Sequence, residues 1–413
     1  MREAVALVNL SPAVSVALIG VGVAALPLCL VAWRNLAAGG VSASGGDAAG
    51  WIRALTLAAL FLTLDLVVFG AFTRLTDSGL GCPDWPGCYG STSPVGAHGH
   101  IADAQATLPH GPVTHTKAWI EMLHRYLATG VGALITLLMG LAWWQKSRGL
   151  PVPVQSVVSP WWPTLTFVWV CAQGAFGAMT VTLKLYPLVV TGHLIGGLMG
   201  VALLAAQVRA MTPATGSARH SVWSVQLPTA LRRGAWAVLA VWVAQVALGG
   251  WVSTNAAVLA CADFPTCQGQ WWPEMNFAQG FTLMRGLGSD GQGGAIGLQA
   301  LMAIHMVHRL GAVVASIAML GLARRAWRLS VLGDASGRRE SAVLLGLWLW
   351  QVASGLSNVV LGWPLAAALA HTLGAALTVA WLTRMVVAPA TGSVVSSSQV
   401  QAASAGAVAR WAW

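Results

Sequence analysis

Ile120-Glu121-Met122-Leu123-His124-Arg125 opens a long apolar run, Tyr126 to Trp144. On a helix, Glu121 lies one turn from both His124 and Arg125. A carboxylate, an imidazole and a guanidinium then share one face at the mouth of the run. Ile304-His305-Met306-Val307-His308-Arg309 echoes the stretch and opens a second apolar run. The echo keeps the second histidine and the arginine, but His305 stands where the first copy has Glu121. A polar mouth leading into about 20 apolar residues is the pattern of a membrane-spanning helix.

The rest of the chain extends that pattern. Of its 413 residues, 56% are hydrophobic and only 8% charged, against about 25% charged in a soluble domain. Mean hydropathy is +0.69. Apolar runs predict nine spans, at roughly 13–33, 53–73, 118–144, 163–183, 187–209, 232–254, 298–323, 342–361 and 364–387. Membrane strands would show about ten residues of strict alternation, which is not seen, so the fold class is an all-α integral membrane protein. The net charge of +10 does not point to nucleic acid. Its basic residues cluster in short loops between spans, as the positive-inside rule expects. Arg34, Arg53, Lys146, Arg148, Arg209, Arg219, Arg232, Arg233, Arg324, Arg325, Arg328, Arg338, Arg339, Arg384 and Arg410 fall on one side, 15 of the 22 Lys and Arg residues. That side is cytoplasmic. The loops at 74–117 and 255–297 then lie outside. The first run, flanked by Arg2 and Arg34, reads as a retained helix with its N-terminus outside, because cleavage with the N-terminus inside would invert every later loop against the charge bias. The tail after Pro389 lacks periodicity and reads as disordered.

Most of the chain is an internal repeat. Cys82-Pro-Asp-Trp-Pro-Gly-Cys88 matches Cys261-Ala-Asp-Phe-Pro-Thr-Cys267, with Asp two and Pro four residues after the first cysteine. Cys82 and Cys261 are 179 apart, His124 and His308 are 184 apart, and Gln173/Gln351 and His193/His371 are each 178 apart. Four units result: an extra N-terminal transmembrane helix with its linker (1–52), a first four-helix repeat (53–210), a second (211–388) and the tail (389–413). Two tandem four-helix bundles related by a pseudo-two-fold axis along the membrane normal are the expected architecture.

Histidines in spans are rare and usually functional. His124 and His193 each lie about six or seven residues from the outer end of their helices, a rise of about 10 Å. Each repeat can therefore present two imidazoles at matched depth across a bundle, as a bis-His b-type haem requires. Small residues flank them in Gly192-His193-Leu194-Ile195-Gly196-Gly197 and His371-Thr372-Leu373-Gly374. Histidines that only bond neighbouring backbone, or a metal held without haem, remain as alternatives; His305 and His308 are at helical spacing for the latter. Four outer cysteines allow three pairings, and closure within each loop is favoured by the six-residue separation with Pro and Gly between. Such disulfides would tie down the loops; a redox relay or a copper or zinc site is the alternative. Cys29 and Cys171 lie in spans and read as packing residues.

The run Gly70-Ala71-Phe72-Thr73-Arg74-Leu75-Thr76-Asp77-Ser78-Gly79-Leu80-Gly81-Cys82 through Cys88, followed by Glu121-x-x-His124-Arg125 and Thr191-Gly192-His193, resembles the haem A synthase family. The resemblance covers about residues 53–388 and leaves the first span outside. It implies a bacterial cytoplasmic-membrane oxidoreductase that turns the C8 methyl of haem O into a formyl group, by two hydroxylations and loss of water from a geminal diol. It further implies that the N-terminal half takes the substrate haem O and the C-terminal half a haem b cofactor. His124, His193, His308 and His371 carry over as ligands of haem iron, and Glu121 as the catalytic acid/base or substrate-stabilising group. Glu121 is peculiar to the first repeat; for it an interfacial ion pair with Arg125 or Lys117 is the alternative. Arg74, Arg125 and Arg309 are candidate partners of haem propionates through charge-assisted bonds; the second repeat has Ser253 where the first has Arg74. Haem O synthase, an electron donor and a second copy of the chain are candidate partners, besides membrane lipid. A dihaem b-type cytochrome for electron transfer, or a non-catalytic haem carrier, are the competing functions.

Overall fold

The structure is a computed structural model that describes residues 11–37, 47–147, 159–212, 225–331 and 335–389. Arg148, Arg219, Arg410 and the expected disordered tail beyond residue 389 lie outside the described residues. The helices are α1 (Ser11–Ala37), α2 (Asp47–Leu75), α3 (His98–Thr107), α4 (His115–Ser147), α5 (Trp161–Thr182), α6 (Pro187–Ala210), α7 (Thr229–Thr254), α8 (Phe277–Gly280), α9 (Leu298–Val331), α10 (Ala335–Val360) and α11 (Leu365–Val386). Eight of them, α2, α4–α7 and α9–α11, are long and apolar enough to cross a membrane. The expected first span falls within α1, whose described apolar stretch, Pro12–Leu26, is shorter. Helix α9 runs past the expected end at residue 323, through Arg324, Arg325 and Arg328, because arginine is a good helix former once the helix leaves the apolar layer.

Helices α2 and α5 each pack on α4 and α6, and α7 and α10 each pack on α9 and α11. The two sets meet where α11 touches α2 and α6, and where α6 touches α7. Helix α1 lies mainly along α4. Its close approach uses small residues: a Cβ on Gly20 would run into Thr129, and one on Gly130 would lie 2.9 Å from Val23 Cγ1.

The repeat extends to backbone detail. Cys82–Cys88 and Cys261–Cys267 are both disulfide-bonded. Each bond closes a miniature hairpin, Cys88 pairing with Ser91 and Cys267 with Gln270. The turns between have two left-handed residues apiece, Tyr89-Gly90 and Gln268-Gly269, the combination that suits a two-residue hairpin. The aspartate common to both motifs caps this turn. Asp84 accepts from the N–H groups of Tyr89 (2.6 Å) and Gly90 (2.7 Å), and Asp263 from those of Gln268 (2.7 Å) and Gly269 (3.0 Å). The Thr266 hydroxyl, then the Gly269 N–H, hold the Asp263 carboxyl down to about 2. The turns after α5 and α10 match likewise, Lys184-Leu185 and Gly362-Trp363 being left-handed in turn.

The short helix α3 that follows the first Cys motif has no counterpart in the sequence expectations. Its single buried apolar residue, Ile101, packs with Cys82, Cys88 and Met122, and one such residue leaves no periodic signal.

At the opposite end from the Cys loops, Glu340 of α10 pairs with Arg384 of α11, both fully buried. Arg384 also stacks on Trp381 at 4.1 Å. Arg209 of α6 and Arg232 of α7 donate to the carbonyls of Val387 (3.1 Å) and Val386 (2.9 Å) at the end of α11, where the helix dipole favours cations. Removing one member of a buried pair leaves the other charge uncompensated. Glu340→Ala should therefore lower stability by about 3–5 kcal/mol, read as a fall in the thermal midpoint of the detergent-solubilised chain. Replacing both partners with apolar residues, Glu340→Leu with Arg384→Met, should recover most of it; an unchanged midpoint in Glu340→Ala would refute the assignment.

Candidate haem site

One cavity of about 1730 Å³ runs between the helices, and His124 (α4), His193 (α6), His308 (α9) and His371 (α11) all line it. A pocket for one small ligand or cofactor occupies about 300–1,000 Å³, so this volume accommodates two large ones. It is mostly apolar, with few charged groups among its lining residues: Arg74, Glu121, Arg125 and Arg309.

Each histidine ring rests against a glycine of the neighbouring helix. A Cβ on Gly70 of α2 would lie 3.1 Å from His124 Cε1, and one on Gly177 of α5 3.4 Å from His193 Cε1. In the second set the distances are 3.0 Å from Gly249 of α7 to His308 Cε1 and 3.1 Å from Gly355 of α10 to His371 Cε1. A side chain at Gly70, Gly249 or Gly355 would make the ring give way by a few tenths of an ångström, and Gly177 leaves room for no more than a Cβ in contact. The backbone beside three of the rings is held by glutamine amides: Gln173 Nε2 donates to the His193 carbonyl (2.5 Å), Gln351 Nε2 to that of His371 (2.8 Å) and Gln245 Nε2 to that of His308 (3.0 Å). All four rings line the cavity, and no side chain among the described residues hydrogen-bonds to their Nε2. Seated imidazoles with a free ring nitrogen toward a large apolar space are the donor set that axial ligation of haem iron requires. Among the described residues, no three His, Cys, Asp or Glu side chains gather to bind a metal ion directly.

Glu121 is 4% exposed and reaches the cavity wall. Its Oε2 accepts from the Cys82 N–H (2.8 Å) and its Oε1 from Arg125 Nη2 (2.5 Å). The ion pair weighed for Glu121 is thus present, with Arg125; Lys117 pairs with Asp77 instead, at 3.2 Å. The carboxylate joins three things: the disulfide loop, the arginine and the cavity. His305, at the matching place, accepts from Arg309 Nε at 3.4 Å and also lines the cavity.

The arginines hold the loops. Arg125 Nη1 donates to the carbonyls of Asp84 (2.9 Å), Pro86 (3.2 Å) and Gly87 (2.5 Å). Arg309 donates from Nη1 to Thr266 O (2.8 Å) and from Nη2 to Cys261 O (2.9 Å) and Asp263 O (2.8 Å). Both Cys loops are thereby drawn over the cavity, which Trp85, Pro86 and Phe264 help to line. Arg74 makes one hydrogen bond, Nη2 to the carbonyl of Ser253 at 2.9 Å. Ser253 is its own repeat counterpart, so this bond joins the two helix sets. Sequence reasoning missed the four glycine seats and Gln245. The spacing could have revealed the seats: Gly70 and Gly249 are 179 apart and Gly177 and Gly355 are 178 apart, the same intervals as the cysteine and histidine pairs.

Comparison with known proteins adds to this geometry. Residues 53–383 match the COX15-CtaA family model, described as cytochrome oxidase assembly protein. The chain is 36% identical to a protein named Heme A synthase from Shewanella oneidensis over 327 residues, 79% of this chain and 92% of the relative. It is 28% identical to a Heme A synthase of Rhizorhabdus wittichii over 339 residues, 78% and 89% of the two chains. A Heme A synthase of Symbiobacterium thermophilum is 27% identical over 307 residues, 74% and 84%. The family match takes in both Cys loops and all four cavity histidines, and α1 lies before it.

Proposed function

The chain belongs to the COX15-CtaA family of cytochrome oxidase assembly proteins, and on that premise we propose how its residues divide the work of making haem A. It is a multi-pass membrane oxidoreductase of haem A biosynthesis, acting on haem O. The finer reading is that residues 53–210 and 211–388 form two four-helix bundles related by a pseudo-two-fold axis, with α1 as an added helix. The first bundle receives haem O between His124 and His193. The second holds haem b between His308 and His371. When bound, haem b supplies one-electron redox chemistry.

The observation that carries this division is the asymmetry at the cavity mouth: a carboxylate, Glu121, on the first side and an imidazole, His305, on the second. Oxidising the C8 methyl of haem O to formyl, through successive hydroxylations, removes protons as well as electrons. Glu121 is the group placed to accept them, one helical turn from His124, in a wall that keeps bulk water away. Arg125 holds that carboxylate in position. Arg74 has donors to spare beside the cavity and is placed to meet a propionate. The disulfides are structural, each keeping its loop closed over the mouth on the outer face of the cytoplasmic membrane.

Extracting the haems bound to the purified full chain and identifying them by mass tests the reading. Haem B together with haem O, a hydroxylated haem or haem A is the expected result. Haem B alone, filling both sites, would overturn it in favour of an electron-transfer cytochrome.

A further inference from the structure

The two histidine pairs differ at the ring nitrogen that faces away from the cavity. His371 Nδ1 lies 3.0 Å from the Ser354 hydroxyl. That hydroxyl gives its proton to the Trp350 carbonyl at 2.7 Å. Its lone pair is what faces His371, so the ring carries its hydrogen on Nδ1 and leaves Nε2 free as a donor to iron. Ser354 is 8% exposed, which leaves little room for water to compete. His308 Nδ1 instead faces the Gln245 amide nitrogen at 3.0 Å, a donor and so not the acceptor that Ser354 supplies. In the first pair, Nδ1 of His124 and of His193 is buried with no partner. The repeat explains why. Phe176 stands where the second half has Ser354, and Leu66 where it has Gln245, at the 178- and 179-residue offsets.

A hydrogen-bond acceptor on the far nitrogen fixes the tautomer and raises the basicity of a ligating imidazole, and losing it typically costs about 10–100-fold in metal affinity. A substrate haem must enter and, once oxidised, leave; a cofactor haem must stay. We propose that Ser354 is a positioning residue that makes the second histidine pair the tight, resident haem site. Phe176, by denying His193 the same bond, keeps the first pair a weak, exchanging site. The inference rests on the haem assignment above and adds to it a reason for retention in one half and release in the other.

The test uses the full-length chain in detergent, with haem content and redox titration as readouts. Ser354→Ala should weaken retention of the second-half haem by about 10–100-fold and raise its midpoint potential, because a less basic ligand stabilises ferric iron less. Ser354→Thr, which keeps the hydroxyl, should restore both. Phe176→Ser, which offers His193 an acceptor, should make the first half retain haem through purification. Wild-type potential and retention in Ser354→Ala, with haem present in the unaltered chain, would overturn the proposal alone. An unaltered chain that bound no haem would overturn the haem assignment and this proposal together.

Discussion

Glu121→Gln is expected to abolish haem A formation while both histidine pairs keep their ability to bind haem. The substitution is nearly isosteric, but it takes the charge partner from Arg125. That guanidinium is still held by loop carbonyls, and a thermal midpoint measured alongside separates lost stability from lost chemistry. A glutamine carbonyl can still accept from the Cys82 N–H, the bond Glu121 makes at 2.8 Å. Arg125 keeps its three loop carbonyls, so the first Cys loop stays closed. What disappears is a group able to take up and release a proton at the cavity wall that Glu121 shares with His124. General acid–base catalysis is worth about 10²–10⁴-fold, and haem A output should fall by that factor. The measurement is the ratio of haem A to haem O extracted from membranes in which this chain is the sole source of the activity. His305→Gln, at the matching place, serves as the control and should leave the ratio within about tenfold of the unaltered chain, a change no larger than one moderate interaction. Normal haem A output from Glu121→Gln would remove the carboxylate from the chemistry and leave it as a strut between Arg125 and the Cys82 loop.

How much of this was legible beforehand follows from the range of the forces involved. The spans were legible because transfer of about 20 apolar residues into lipid is a local, additive property, and eight of the nine expected runs are helices long and apolar enough to cross. The disulfides were legible because a six-residue separation with a proline between lets each loop close on itself, the favoured one of three pairings. The duties of Arg125 and Arg309 were not. Sequence showed two cations at helix mouths, and a cation there suits a propionate as well as a loop; only the folded loop brings the carbonyls of Asp84, Pro86 and Gly87 within reach of one guanidinium. Asp84 and Asp263 were visible as a repeated letter, but their caps on the hairpin turns depend on the left-handed residues that follow. The glycine seats were hidden for a similar reason. In a chain with 47 glycines, the four that matter are distinguished only by which helix lies opposite. Helix α1 was legible as an apolar run, but its packing was not, since its contact with α4 depends on Gly20 approaching Thr129 and Gly130 approaching Val23, which no periodicity records.

The separation of cofactor from substrate makes its sharpest prediction at the histidines of α6 and α11. His371→Ala removes one ring from the second pair and leaves Gly355 facing an empty seat. Ser354 and Gln351 keep their backbone bonds to Trp350 and to residue 371, so the helices remain in register. The second-half haem then has one protein ligand, and its content in purified protein should fall to about a tenth or less, the low end of what disturbing a ligand's surroundings alone achieves. Haem A output should fall with it, because the second half would no longer hold the haem that would supply its redox chemistry. His193→Ala removes the corresponding ring of the first pair and should do the opposite to the haem inventory: haem B is retained in full, and only haem O and its oxidised products are missing. Both variants lose product, so activity alone would not tell them apart; the mass of the extracted haems does. Imidazole added to His371→Ala should return part of the haem B, since the seat at Gly355 accommodates a free ring of the same size. Full haem B content in His371→Ala without added imidazole would show that α11 does not hold the cofactor. Loss of haem B from His193→Ala would place the cofactor in the first half and reverse the assignment of the two sites.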